Sequence, residues 1–555
     1  MRDFPNETLS KNLLAISGFN LQEATAIGEA HPHPHVQHKA AKNGMLIPVV
    51  NQDGRDRPLH SLFDPIKEAK RLTEHVSDGG FVIVFGFGGG YHIRELLQNP
   101  QVESIIIIDF DYDVFRSIFS FIDVSDIFID SRVRIFIDPD PQQLRNYLLE
   151  RYIPALMGDV RSVPLRSRSS MAEQAFNAVS LVVQNTIESV SDDYSVQARF
   201  GKRWMSNTIA NLAIAERSVF TLSPQKKAMI IAAGPSLDNN VETISKLAKD
   251  HFCIATDTAL PWLLHNSITP DIILSIDCQT VTYHHFLYKF PQEIPVLFDL
   301  ASPPTLSRQI HQPLFFSSGH PFSQYVHNTW RTFPEIDTSG GNVTHAAVSL
   351  AHILHVQQLK IFGADYCYPN GKTYANGTYL YHYFRSKENR FSSCESALAD
   401  FVFHNAEADF HRKTQTTIYQ TPSMRGYKHR IQQLLTSVPI TIENFSPYWG
   451  NVVQAGSKHS NCIRRIPRWN QATENWKQFL KTYAKNLLEL ELPKQNLTRF
   501  FTDQDKKSLQ LWMTVFPAAA YFRHNSLPES QGKALLETSR KWIVSEIEKA
   551  IQSQL

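Results

Sequence analysis

Short, continuous apolar runs alternate with stretches of helical period along most of the chain. FVIVF (81–85), SIIIID (104–109) and VRIFID (133–138) read as buried strands, and YHIRELL (91–97) between the first two reads as a helix. Apolar runs without alternation mark strands covered on both faces of a parallel sheet. Just before them, DPIKEAKRLTEH (64–75) has proline in the first turn of a helix. The same grammar returns after residue 225 in AMIIAAGPSL, HFCIATDTA, TPDIILSID, TSGGNVTHAAVSLA and LKIFGADYCYPNGKTYANGT. Between the two regions, residues 141–222 have almost no glycine and a helical spacing, with Phe176, Val179, Leu181, Val182, Val183 and Ile187 as an example. Beyond Ser457 the pattern is helical again.

These elements predict a multidomain α/β protein: two Rossmann-like parallel-sheet units joined by helices, with a helical carboxy-terminal region. The expected segments are an amino-terminal α/β domain at 1–150, linking helices at 151–222, a central catalytic domain at 223–457 and a helical domain at 458–555. Residues 1 to about 65 read as mixed and turn-rich, for example at Asn51-Gln52-Asp53-Gly54.

Open α/β sheets bind ligands outside the carboxyl ends of their strands. In the second α/β region those ends carry Gly234-Pro235-Ser236, Asp257, Asp277 and Asp365, with Ser339 in a helix-entry turn. Ser236 reads either as a helix cap or as part of a phosphate site made by the same free amides. Asp257 and Asp277 close two successive strands and suit either turn amides or the hydroxyls of a sugar or nucleoside. Ser339-Gly340-Gly341 lets a ligand approach backbone closely before a helix, a second anion site, or serves as a flexible helix entry. Tyr368 and Tyr374 can donate hydrogen bonds to a departing phosphate oxygen, or simply pack. His382 follows as a candidate base, with His404 and His411 as rivals.

Composition narrows the class. The 555 residues exceed one core, and a net charge of +2 supplies no field for nucleic acid or acidic membranes. No apolar run reaches the roughly 18 residues of a membrane span. The opening MRDFPNETLSKN has no secretory apolar region, and Cys253, Cys278, Cys367, Cys394 and Cys462 form no CxxC pair. A cytoplasmic protein with reduced thiols is expected.

Other signals carry less. Gly86-Phe87-Gly88-Gly89-Gly90 follows a strand, but the third glycine of a dinucleotide fingerprint falls on Tyr91. Asp109-Phe110-Asp111 is a D-x-D string of the kind metal-dependent glycosyltransferases use. A scaffolding role is expected for this first domain. His31, His33, His35 and His38 alternate with proline or other residues and suggest an extended segment. No metal site is expected.

In order, AAGPSL (232–237), PDIILSID (270–277), TSGGNVTHAAVSLA (338–351) and IFGADYCYPNGKTYANGT (361–378) resemble the motility accessory factor (Maf) family of flagellin glycosyltransferases. LHSLFDPIKEAKRL (59–72), FGFGGGYHIREL (85–96) and RWMSNTIANL (203–212) extend the resemblance, which covers most of the chain to about residue 455. The core in turn is similar to bacterial sialyltransferases that use CMP-sugars. The resemblance implies transfer of a pseudaminic or legionaminic type nonulosonic acid from a CMP-activated donor to serine or threonine of flagellin, with no cofactor required. It would place Gly234, Pro235 and Ser236 along the nucleotide phosphate, Asp257 and Asp277 at the cytidine or sugar, Ser339 and Gly340 at the sugar carboxylate, and Tyr368 and Tyr374 on the leaving phosphate. Asp365 belongs to the donor-binding set. The chain departs from the sialyltransferases at Ala233, where they carry asparagine, and in lacking an alignable histidine base. Two other functions fit the core: a 6-hydroxymethylpterin diphosphokinase, and a non-catalytic flagellin-binding protein.

Overall fold

The computed structural model describes residues 6–218, 222–287, 290–404, 409–413, 415–449, 472–494, 496–527 and 531–553. The expected boundary at 457/458 and Cys462 lie outside them. The chain divides into two compact units, Met1–Gly201 with Glu489–Lys541, and Lys202–Leu488 with Trp542–Leu555.

The first unit opens with an antiparallel sheet, β1 (Val36–Ala40), β2 (Leu46–Gln52) and β3 (Arg55–Pro58). Asp53 and Gly54 join β2 to β3 at φ 55° and 74°. A two-residue turn with both residues left-handed matches the twist of a hairpin, and Asp-Gly favours it. His38 falls in β1. The expected helix runs Pro65–Thr73, capped by Asp64 on the amides of Ile66 and Lys67.

A parallel sheet follows in the order β6 (Val133–Ile137), β5 (Val102–Asp109), β4 (Gly80–Phe85), β7 (Val160–Pro164). All six residues of β4 are buried, as its apolar run requires. β7 falls inside the stretch expected to be helical. Only Val163 of its five residues is buried, so it left no apolar run to read. The remainder of that stretch is dominated by one helix, Glu173–Ala215.

The second unit is built on a seven-stranded parallel sheet: β8 (Lys227–Ile231), β9 (Phe252–Thr256), β10 (Ile272–Ser275), β11 (Val296–Asp299), β12 (Pro313–Phe316), β13 (Gln358–Phe362) and β17 (Thr441–Asn444), in the spatial order β12-β11-β10-β9-β8-β13-β17. The chain winds outward from β8 to β12, then returns to pair β13 with the other edge of β8. That reversal is a topological switch point, where loops diverge and leave a crevice. A small antiparallel sheet, β14 (Tyr368–Pro369), β16 (Thr416–Gln420) and β15 (Asp409–Lys413), follows the β13 loop.

The segment RWMSNTIANL has a positional role in this unit. Asn207 donates to the carbonyls of Cys278 and Ala301, and Asn211 to those of Leu300 and Ser302. Two asparagines one helical turn apart thus hold the loops leaving β10 and β11. Among the described residues no helix is long and apolar enough to cross a membrane.

Candidate active site

The turns after β8 and β13 approach one another as closely as backbone allows. Gly234 donates to the carbonyl of Gly363 at 2.7 Å. A Cβ on Gly234 would stand 2.4 Å from that carbonyl oxygen, and one on Gly363 (φ 69°) would stand 2.4 Å from the oxygen of Ala232. Neither position has room for a side chain.

Ser236 is not a helix cap. Pro235–Asn239 is a 3-10 turn without a side-chain cap, and the following helix, Val241–Leu247, is only seven residues long. The Ser236 amide and hydroxyl donate instead to the two oxygens of Asp365, at 2.8 and 2.6 Å, and Ser446 donates to the same carboxylate at 2.5 Å. All three residues are buried. Burial pushes the Asp365 carboxyl up and these hydrogen bonds pull it down, with burial prevailing. Ser236 and Asp365, predicted as separate ligand contacts, bind each other and fix the crevice.

A cavity of about 980 Å³ opens at this junction. Gly234, Thr256, Thr258, Asn342, Thr344 and Asp365 lie on one side, and Tyr366, Tyr368, Thr373, Tyr374, Thr421 and Tyr427 continue the wall. Threonine and tyrosine hydroxyls and the Asn342 amide share the wall with apolar Val343, Phe401, Val402 and Met424, and no lysine or arginine is among the described lining residues. Burial raises the phenols of Tyr366, Tyr368 and Tyr374, so each stays a hydrogen-bond donor at neutral pH. Asn342 caps the helix Val343–Ile353 through the His345 amide and accepts from the Tyr366 hydroxyl at 3.3 Å.

The other predicted residues divide. Tyr368, Tyr374 and Gly234 are on the wall. Pro235 is buried in the 3-10 turn behind it. Asp257 is buried between wall residues Thr256 and Thr258, and accepts from the Thr258 amide and from the Ser275 hydroxyl, both at 2.7 Å. Asp277 is half-buried and accepts from the Gln279 amide at 2.9 Å; burial, then the charge of Asp257, raises its carboxyl. Ser339 and Gly340 are off the wall. Ser339 is exposed with its amide on Asp337, and Gly340 makes room for the ring of His345, whose hydrogen bond holds Asp337 well below the usual carboxylate range. The helix entry serves the cavity through Asn342 to Thr344 instead.

His382 is exposed on the helix Tyr379–Lys387 and is not a wall residue. His404 is on the wall but 78% exposed, beside Asp400. His411 is exposed on β15. The sequence reading missed His285, which packs edge-on against Tyr379 at 4.4 Å and bears electrostatically on Asp257 and Asp277. It lies in the 3-10 turn Thr280–Phe286, which has neither apolar period nor strand end to single it out.

In the first unit the equivalent crevice is filled. Arg168 pairs with Asp109 through two hydrogen bonds of 2.9 and 2.7 Å, both residues buried, while its Cβ lies 2.7 Å from where a Gly86 side chain would begin. Asp111 caps the helix Tyr112–Phe119. The D-x-D string is therefore structural, and the glycine-rich turn packs against protein.

Sequence and structure define an α/β protein with a wide crevice, among the described residues, at the switch point of its larger parallel sheet. Residues 25–153 match the model of the glycosyltransferase Maf N-terminal domain, and residues 202–371 match that described as 6-hydroxymethylpterin diphosphokinase MptE-like. The solved structure of the Maf glycosyltransferase from Magnetospirillum magneticum AMB-1 superposes over 99% of this chain and 95% of its own, with a TM-score of 0.54 at 14% identity, a likeness of fold. The amino-terminal stretch is thus similar to a Maf glycosyltransferase domain, and the chain as a whole resembles a Maf glycosyltransferase in fold. Three uncharacterized proteins of Treponema pallidum (strain Nichols) are also similar, at 30%, 27% and 24% identity over 27%, 30% and 41% of this chain and 54%, 81% and 51% of their own. The chain spans about half the length of the first of these.

Proposed function

We propose that the chain transfers a nonulosonic acid, of pseudaminic or legionaminic type, from a CMP-activated donor to serine or threonine of flagellin, in the cytoplasm and in support of flagellar assembly. The observation that carries this reading is the cavity wall: a switch-point crevice with threonine and tyrosine hydroxyls set among apolar side chains, and no lysine or arginine among its described lining residues. Such a wall suits a sugar and a singly charged phosphodiester. A polyphosphate would call for cations or a metal.

In this reading Tyr368 and Tyr374 donate to the phosphate oxygen that gains charge as the glycosidic bond breaks. Their burial keeps them protonated for that purpose. The backbone around Gly234 and the entry at Asn342–Thr344 hold the nucleotide and the sugar carboxylate. The monophosphate leaving group is met by hydrogen-bond donors, so the reading requires no metal or cofactor.

The match of residues 202–371 to the MptE-like model favours a second reading, a pterin diphosphokinase. Intact-mass measurement of flagellin after incubation with a CMP-nonulosonate separates the two. The transfer reading expects one sugar mass added per site. An unchanged mass, with pterin diphosphate formed from ATP, would establish the second. Flagellin binding without either product would leave a non-catalytic binder.

A further inference from the structure

A second cavity lies at the amino end of the edge strand β12, whereas the crevice lies at the carboxyl ends of the same sheet. Its volume is about 580 Å³, within the range of small-molecule sites. The lining sets buried Ala213, Ile310 and Leu314 beside exposed Arg217, Arg308, His311 and Gln312. Its serines are engaged: Ser218 donates to the Ile214 carbonyl at 3.1 Å, and Ser307 to Asn211 at 2.7 Å. No aspartate or glutamate is among the described lining residues. Glu216, next to Arg217, accepts from the Trp476 amide at 2.8 Å instead. Among the described residues neither the Arg217 nor the Arg308 side chain has an ion pair or a hydrogen bond. Each arginine alone suits a helix end, since Arg217 lies two residues past Glu173–Ala215 and Arg308 directly follows Pro304–Ser307. Helix ends do not explain why two guanidiniums and an imidazole share one hollow without a carboxylate. Like charges gathered beside a low-dielectric wall repel one another and draw an anion.

We propose that this cavity binds a phosphate monoester, at a site independent of the transfer reading. A guanidinium presents a planar fork of donors that matches phosphate oxygens. A compact dianion can take both forks at once, with His311 and Gln312 as further donors. The apolar part of the lining is then left for the organic group of the ester. An acidic peptide would spread its charges along an extended strip, whereas these cations converge on one hollow.

The test titrates the full chain calorimetrically with inorganic phosphate and with phenyl phosphate. Phenyl phosphate is expected to bind more tightly, because only it covers the apolar lining, and to bind more weakly at high salt than at low salt. Arg217→Gln and Arg308→Gln are each expected to weaken it by about 10- to 100-fold. Both side chains are exposed, so the ligand-free variants should melt with the wild type. Wild-type affinity in both variants overturns the proposal, as does a wild type that binds neither phosphate. Inorganic phosphate bound as tightly as the ester overturns the assignment of an ester. Polyglutamate bound in place of both phosphates would assign the hollow to an acidic protein and overturn it too. None of these results bears on the transfer reading, whose crevice is lined by neither arginine.

Discussion

Asp365 shows how a single side chain can set the geometry of a crevice. Its two oxygens take hydrogen bonds from the Ser236 amide, the Ser236 hydroxyl and the Ser446 hydroxyl, joining the turns that follow β8, β13 and β17. Asp365→Ala leaves three buried donors unsatisfied. A buried donor stripped of a charged acceptor costs about 1–3 kcal/mol, so urea unfolding should show a loss of at least about 3 kcal/mol, with CMP binding abolished. Ser236→Ala removes one of the three and should cost about 1–2 kcal/mol. Equal losses for the two variants would refute this division. Both residues were legible as strand-end polar groups. That they satisfy each other was not, because no local pattern links positions 129 residues apart. His285 was invisible for a related reason: its buried place beside an acid pair is assembled from three separate segments.

At the level of elements, strand and helix periods were read well where burial was complete and poorly where it was not. β4 and β5 were plain in the sequence; β7, with one buried residue, was not. The helix Tyr91–Gln98 carries His92, fully buried, with Nε2 near the Gly86 carbonyl and its pKa lowered to about 3 by burial and then by His60. The unfolded chain binds a proton here near pH 6.5, and the folded one does not until about pH 3. His92 therefore contributes stability in full above pH 6.5, lost as pH falls through that window at about 1.4 kcal/mol per unit. His92→Asn should flatten the dependence, as followed by urea midpoints between pH 4 and 7. In the second unit, Asn211→Ala frees two buried carbonyls from their donor. Amide exchange should rise in the loop at 300–302, with about 1–3 kcal/mol of stability lost.

Over the whole chain the two α/β units show opposite solutions to one problem. Each parallel sheet leaves a crevice where its order reverses. The first closes it with the Arg168–Asp109 pair, and the second opens it into the hydroxyl-lined cavity. Arg168→Ala leaves a buried carboxylate unpaired and should destabilise the protein by about 3–5 kcal/mol. CMP affinity should be unchanged at a temperature where the variant is folded, as measured by calorimetry. A weakened affinity would assign nucleotide binding to the first unit.

Because no fixed cation stands among the described lining residues of the cavity, recognition there leans on short dipolar contacts that dissolved ions hardly screen. Binding of CMP there should therefore be nearly indifferent to ionic strength, as titration at low and high salt would show.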